Sequence, residues 1–220
     1  MSTYTILECS WSVSGVGNHM YWKLFKDGSP IAELQAMPVD ANGKIVSYPT
    51  GTLQFFQYSL DPKAAIALGV SGPIENGRLF NTSDNAIVAY QTNSLQDALS
   101  HWNAGSSKIP YFNSLNVPYW FLYENSNTGH RAFGEAMGLP VIDFDQNITP
   151  GLDLKLDPDW MQHMPKDILD YYLNNWELTD NTLFNAEYYL SQATTNGIIS
   201  AETYWMLTTP ISAHQKLIPY

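Results

Sequence analysis

The chain has 220 residues, 45% of them hydrophobic and 14% charged, with fourteen Tyr, nine Phe and seven Trp; this excludes a disordered polymer and implies one folded, aromatic-rich domain. A formal net charge of −11, with no cluster of Lys and Arg to interrupt it, argues against nucleic acid as a partner. The single cysteine, Cys9, rules out an internal disulfide framework and any zinc site needing two Cys ligands from one chain, and it fits a reducing compartment.

The opening "MSTYTILECSW" has no basic segment followed by an apolar stretch, and no apolar run anywhere is long enough to cross a membrane. The expectation is a protein without an integral membrane segment, cytoplasmic or exported by a secretion system that needs no signal peptide. "TYTILECSW" alternates and is rich in strand formers, which predicts a strand with Leu7, Cys9 and Trp11 on one face and Cys9 as a small core residue. Gly15 and Gly17 then mark a loop. "HMYWKLF" (19–25) and "PIAELQAM" (30–37) flank Asp27-Gly28, a pair that supplies the backbone conformation of a tight hairpin turn.

"DANGK" (40–44) reads as another turn, and "GTLQFFQYSL" (51–60) and "NAIVAYQT" (85–92) as strands. Between them "DPKAAIALG" (61–69) predicts a short helix, with Pro62 in its first turn and Gly69 at its end. "NSLQDALSHWNAG" (93–105) predicts a helix capped by Ser94, with Asp97 in the capping-box position and Gly105 as terminator. "NTGHRAFGEAMG" (127–138) is a further helix, stopped by Gly138 and Pro140. From about Gly151 three amphipathic segments, 165–176, 181–197 and 200–210, predict a helical C-terminal third. The fold class is therefore α+β, an antiparallel sheet with helices: a core over 1–150 and a helical extension over 151–220 packed on it.

Metal and nucleotide chemistry find no footing. "DFDQN" (143–147) copies the opening of a calcium loop, but Ile148 stands where the turn needs Gly and Leu154 where the bidentate Glu belongs. His19, His101, His130, His163 and His214 show no spacing that sets two imidazoles beside a base on one helix face. No P-loop or GxGxxG occurs, and "GVSG" (69–72) is too short to cradle a pyrophosphate. No metal and no cofactor is expected.

Nucleophilic catalysis is the sharper prospect. Helix-start amides offer donors to an oxyanion, and the helix dipole eases deprotonation of a group placed there, which is where Ser126 falls. Asn125, Ser126, Asn127 and Thr128 are also ordinary capping residues, so capping alone competes with catalysis as the reason for this stretch. The candidate base is His19. A hairpin closed with Lys26 opposite Pro30 sets Tyr21 against Gln35 and Lys23 against Glu33, leaving His19 one diagonal step from Gln35 on the same face. A slip of one residue would bring Ala32 and Ala36 there instead. His130, four residues after Ser126 on the same helix face, is a second candidate base.

"GNHMYWKLF", then "AELQAMP", then the helix start "NSN" together resemble the circularly permuted papain-like proteins of the NlpC/P60 and lecithin:retinol acyltransferase type. In that family a His opens a strand, a polar residue follows on the next strand, and a Cys heads a later helix. The resemblance covers about residues 1–140. It implies a papain-like core, His19 as base, Gln35 (or Glu33) as the orienting group and Ser126 in the nucleophile's place, with Glu33, Asn125, Asn127, His130 and Trp22 as binding residues. It further implies an amide or ester hydrolase or acyltransferase, a bacterial effector acting on peptidoglycan peptide or lipid, partnered by an immunity or carrier protein. Serine where the family has cysteine is a departure, because a hydroxyl needs a well-placed base to react. The alternatives are an inactive relative that binds a peptide, glycan or protein through the same cleft, and an adaptor whose polar residues are only caps.

Overall fold

The computed structural model describes residues 1–13, 17–45, 51–77, 79, 85–119, 125–142, 155–156 and 158–159. The three helices expected beyond 151, the calcium-like stretch 143–147, Gly15, His163, His214 and most of the aromatic run 119–123 lie outside these residues.

Among the described residues, six strands form one sheet: β1 (Tyr4–Val13), β2 (Gly17–Lys26), β3 (Ser29–Val39), β4 (Thr52–Ser59), β5 (Glu75–Asn76) and β6 (Asn85–Thr92), in the order β5-β4-β3-β2-β1-β6. Every pairing is antiparallel except β4 with the two-residue β5, so the sheet is mixed where an antiparallel one is expected from the pattern. Four helices complete the described fold: α1 (Pro62–Ala67), α2 (Leu95–Ser106), α3 (Ile109–Ser114) and α4 (Ser126–Met137). The class is α+β.

Local signals account for most of these elements. The Asp27-Gly28 turn has both residues at positive φ, 49° and 77°, the geometry that matches strand twist in a two-residue hairpin. Asp61 caps α1 by accepting from the Ala64 amide at 2.9 Å, and Ser94 caps α2 by accepting from Asp97 at 3.2 Å. Asp40 closes the 40–44 turn by accepting from the amides of Asn42 and Lys44. Two expectations need correction. Gly17 belongs to β2 rather than to a loop. Gly105 lies inside α2, where a side chain would run into Met137 of α4, so it serves close helix packing rather than termination. Cys9 is fully buried, as expected, while Trp11 on the same strand is 43% exposed and the main core takes Tyr4 and Ile6 from β1.

Helices α2 and α4 cover one face of the sheet. Its centre is Trp22, Leu24, Leu34, Ala36, Leu53 and Phe55, packed against Trp102 of α2 and Phe133 of α4. Phe55 meets Phe112 of α3 and Phe133 of α4 with ring centroids 4.7 and 5.2 Å apart, the second edge-on, an arrangement the ring quadrupoles favour. Gly129 is the contact point of α4 with β3: a Cβ there would lie 2.2 Å from the Ala36 Cβ. Two buried polar side chains on this face are paired: the Trp102 indole donates to Gln57 Oε1 at 2.7 Å and Gln57 donates to Ser71 O at 2.9 Å. The opposite face is also buried, yet it carries Cys9, His19, Tyr21, Lys23, Glu33 and Gln35, a set far more polar than a packing layer requires.

Candidate functional site

Hairpin register sets the polar face. β2 and β3 pair Lys26 with Ser29 and Phe25 with Pro30, one residue tighter than a turn closed at Lys26 and Pro30. A bulge between Leu24 and Phe25 absorbs the difference, so Leu24 meets Ala32, Lys23 meets Glu33 and Trp22 meets Leu34. The cross-strand partners expected for Lys23 and Glu33 are therefore found, by way of a bulge that the residue pattern does not announce.

Lys23 Nζ lies 3.3 Å from Glu33 Oε2, with both side chains buried. Glu33 Oε1 accepts a hydrogen bond from the Gln35 amide nitrogen, and Gln35 hydrogen-bonds the His19 side chain. These contacts form one buried line from Lys23 through Glu33 and Gln35 to His19. With its nitrogen turned to Glu33, the Gln35 amide leaves its oxygen to accept from the imidazole. Burial pulls the His19 pKa down to about 4; the Gln35 bond opposes that fall and the nearby His130 adds to it. His19 is neutral at pH 7, the form in which an imidazole nitrogen can take a proton. Cys9 shares this face, and its pKa rises to about 12, chiefly because burial disfavours the thiolate.

The start of α4 answers the question of capping. Asn125 is the N-cap: its side-chain oxygen accepts from the amides of Asn127 at 2.7 Å and Thr128 at 3.4 Å, and the Thr128 hydroxyl accepts from the Asn125 amide at 3.3 Å. This is a reciprocal capping box. Ser126 is the first helical residue and 8% exposed, so Asn125 and not Ser126 is the cap. The cap occupies the Asn127 and Thr128 amides, so the Ser126 amide is the helix-start donor it leaves for an oxyanion.

Asn127 fixes where this helix start lies. β2 and β3 stop pairing beyond Trp22 and Leu34, although both strands continue. Into that gap Asn127 inserts its amide, its oxygen accepting from the Met20 N–H at 2.9 Å and its nitrogen donating to the Asn18 carbonyl at 2.9 Å. One side chain thus makes the two bonds that a residue of a neighbouring strand would make, and the residue it brackets is His19. Ser126 heads the same helix one residue earlier, so the structure brings the first turn of α4 to the edge of β2 at His19. The body of α4 packs on one face of the sheet while His19 and Gln35 project from the other.

His130 and Trp22 belong to a second buried cluster. His130 Nε2 lies 2.7 Å from Glu8 Oε1, both groups fully buried, and Glu8 also accepts from the Ile142 amide at 3.1 Å. The ring stacks on Trp22 with centroids 4.5 Å apart, and the Trp22 indole donates to the His130 carbonyl at 2.9 Å. Burial lowers the His130 pKa while the Glu8 carboxylate works against that shift. Among the described residues His130 Nδ1 has no hydrogen-bond partner. Glu8 escapes sequence reasoning because a single Glu in an alternating strand reads as solvent-facing, and its partner lies 122 residues away.

Among the described residues no group of three or more His, Cys, Asp or Glu is arranged to hold a metal ion, and no helix is long and apolar enough to cross a membrane. No protein-family model, curated protein or solved structure matches the chain.

Proposed function

We propose that this chain is an amide or ester hydrolase or acyltransferase built on a permuted papain-like core, with Ser126 as nucleophile, His19 as base and Gln35 as the group that orients the base. The observation that carries the reading is the Asn127 bridge, which holds the first turn of α4 at the backbone on either side of His19. In the proposed reaction the imidazole takes the Ser126 hydroxyl proton as Oγ attacks the carbonyl carbon. The bond to the leaving nitrogen or oxygen then breaks, and the imidazolium returns the proton to that group. Water, or a second acceptor in a transferase, releases the acyl group from Ser126 by the reverse sequence. Gln35, held by Glu33, accepts from one ring nitrogen so that the other carries the lone pair. A peptidoglycan peptide or a lipid ester is the substrate class, and a bacterial effector with an immunity or carrier protein is the setting, that the family resemblance adds.

The test is turnover of short acyl nitrophenyl esters and of cell-wall peptides by the full chain. Wild-type turnover that disappears in both Ser126→Ala and His19→Ala, with far-UV circular dichroism unchanged, supports the reading. Turnover that survives both substitutions sinks it.

A second reading has its own support. Ser126 and His19 are only 8% and 6% exposed, an enclosure that suits an inactive relative binding a peptide, glycan or protein partner. Ligand capture by the full chain without turnover, retained in both variants, selects that reading.

A further inference from the structure

Apart from the strand face that carries His19, one external groove among the described residues combines apolar and cationic side chains. It lies between α3, α4 and residues 155–156, with a volume of about 340 Å³. Its lining includes Tyr111, Phe112 and Leu115 together with the charged Lys108, Arg131, Lys155 and Glu135. The whole chain has only ten Lys and Arg against twenty-one Asp and Glu, so three cations around one apolar groove stand out against an acidic background. Arg131 is engaged with Glu135 at 3.0 Å, which cancels one of the three charges. Lys108 and Lys155 are exposed and make no ion pair among the described residues.

We infer that this groove binds a small amphiphilic carboxylate, its apolar or aromatic body against Tyr111 and Phe112 and its carboxylate at Lys108 and Lys155. Size limits the ligand: at about 30 Å³ per water-sized group, the volume admits on the order of ten non-hydrogen atoms. A medium-chain acyl or arylalkyl carboxylate meets that limit. Charge sets its sign, because the two lysines attract a carboxylate, add nothing for a neutral chain and repel a cationic one. The site is independent of the hydrolase reading. Successive helical residues advance by about 100°, which places Arg131, Ala132 and Glu135 at least about 100° round α4 from both Ser126 and His130.

The experiment is isothermal titration calorimetry of the full chain with sodium octanoate, and with octan-1-ol and octylamine as neutral and cationic controls. Saturable octanoate binding at least about tenfold tighter than either control, lost by about tenfold or more in Lys108→Glu/Lys155→Glu, is expected. Ala136→Phe, which fills the groove without changing charge, should weaken binding as well. The inference is overturned if octanoate does not saturate, if the alcohol binds as well, or if charge reversal leaves the affinity within about twofold. Binding should persist in His19→Ala whether or not that variant abolishes turnover, so the two proposals fail separately.

Discussion

Replacing Asn127 with alanine strips two buried main-chain groups of their partners at one stroke. The Met20 amide and the Asn18 carbonyl each bond the Asn127 side chain at 2.9 Å, and Met20 and Asn18 are 0% and 4% exposed. β3 has already parted from β2 at this point and cannot replace the lost bonds. A buried backbone group left unsatisfied costs about 1 to 3 kcal/mol, so the pair should cost about 2 to 6 kcal/mol of unfolding free energy. Asn125→Ala is the control, since loss of an N-cap costs typically about 1 kcal/mol. Urea denaturation followed by tryptophan fluorescence and circular dichroism measures both variants against wild type. Asn127→Asp adds a chemical check: a carboxylate still accepts from Met20 but offers no donor to Asn18, so this variant should lose stability at pH 7 and recover part of it when protonated. If Asn127→Ala costs less than about 0.5 kcal/mol, or less than Asn125→Ala, the view of Asn127 as a substitute strand residue is wrong.

Three further outcomes follow from the packing and the ionisable groups. Gly129→Ala forces a methyl against the Ala36 Cβ at 2.2 Å and should destabilise the fold by about 1 to 3 kcal/mol, read as a lower urea midpoint; an unchanged midpoint would mean that α4 does not rest on β3 as described. His19 has its folded-state pKa at about 4, below its ordinary 6.5, so the unfolded chain binds the extra proton. Its contribution is complete above about pH 6.5 and lost as pH falls towards 4, a fall of about 3 kcal/mol to which His130 adds with the same sign. Urea midpoints between pH 7 and pH 4 should therefore drop less steeply in His19→Asn, and equal slopes would contradict the buried neutral imidazole. Cys9 is fully buried with its thiol pKa near 12, so a disulfide reagent should leave it untouched in the native chain and modify it only on unfolding; prompt native-state labelling would show that this face opens.

Features that depend on a few neighbouring residues were legible before any coordinates. The Asp27-Gly28 turn, the caps at Asp61 and Ser94, the span 85–92 and the end of α4 at Gly138 all follow from backbone preference or from side-chain bonds over three or four residues. The pairing of Lys23 with Glu33 was within reach too, because a hairpin ties the two strands together locally, although a bulge achieved it by a different turn closure. Helix α3 and the two-residue β5 have no comparable signature: a six-residue helix with Pro at its second position and a single parallel ladder step are both set by the surface beneath them.

The sequence by itself determined that the chain folds as α+β, that His19 lies near the start of a strand, and that Asn125 to Thr128 begin a helix. Tertiary structure alone decided which of those four residues caps, that Asn127 enters the gap between β2 and β3, and that Glu8 meets His130. The physical reason lies in range. A cap or turn is a contest among groups a few ångströms apart along the chain, whereas an amide placed 109 residues from its partner records the packing of the whole sheet against α4. Identical Asn residues at 125 and 127 carry no mark of that difference until the sheet is present.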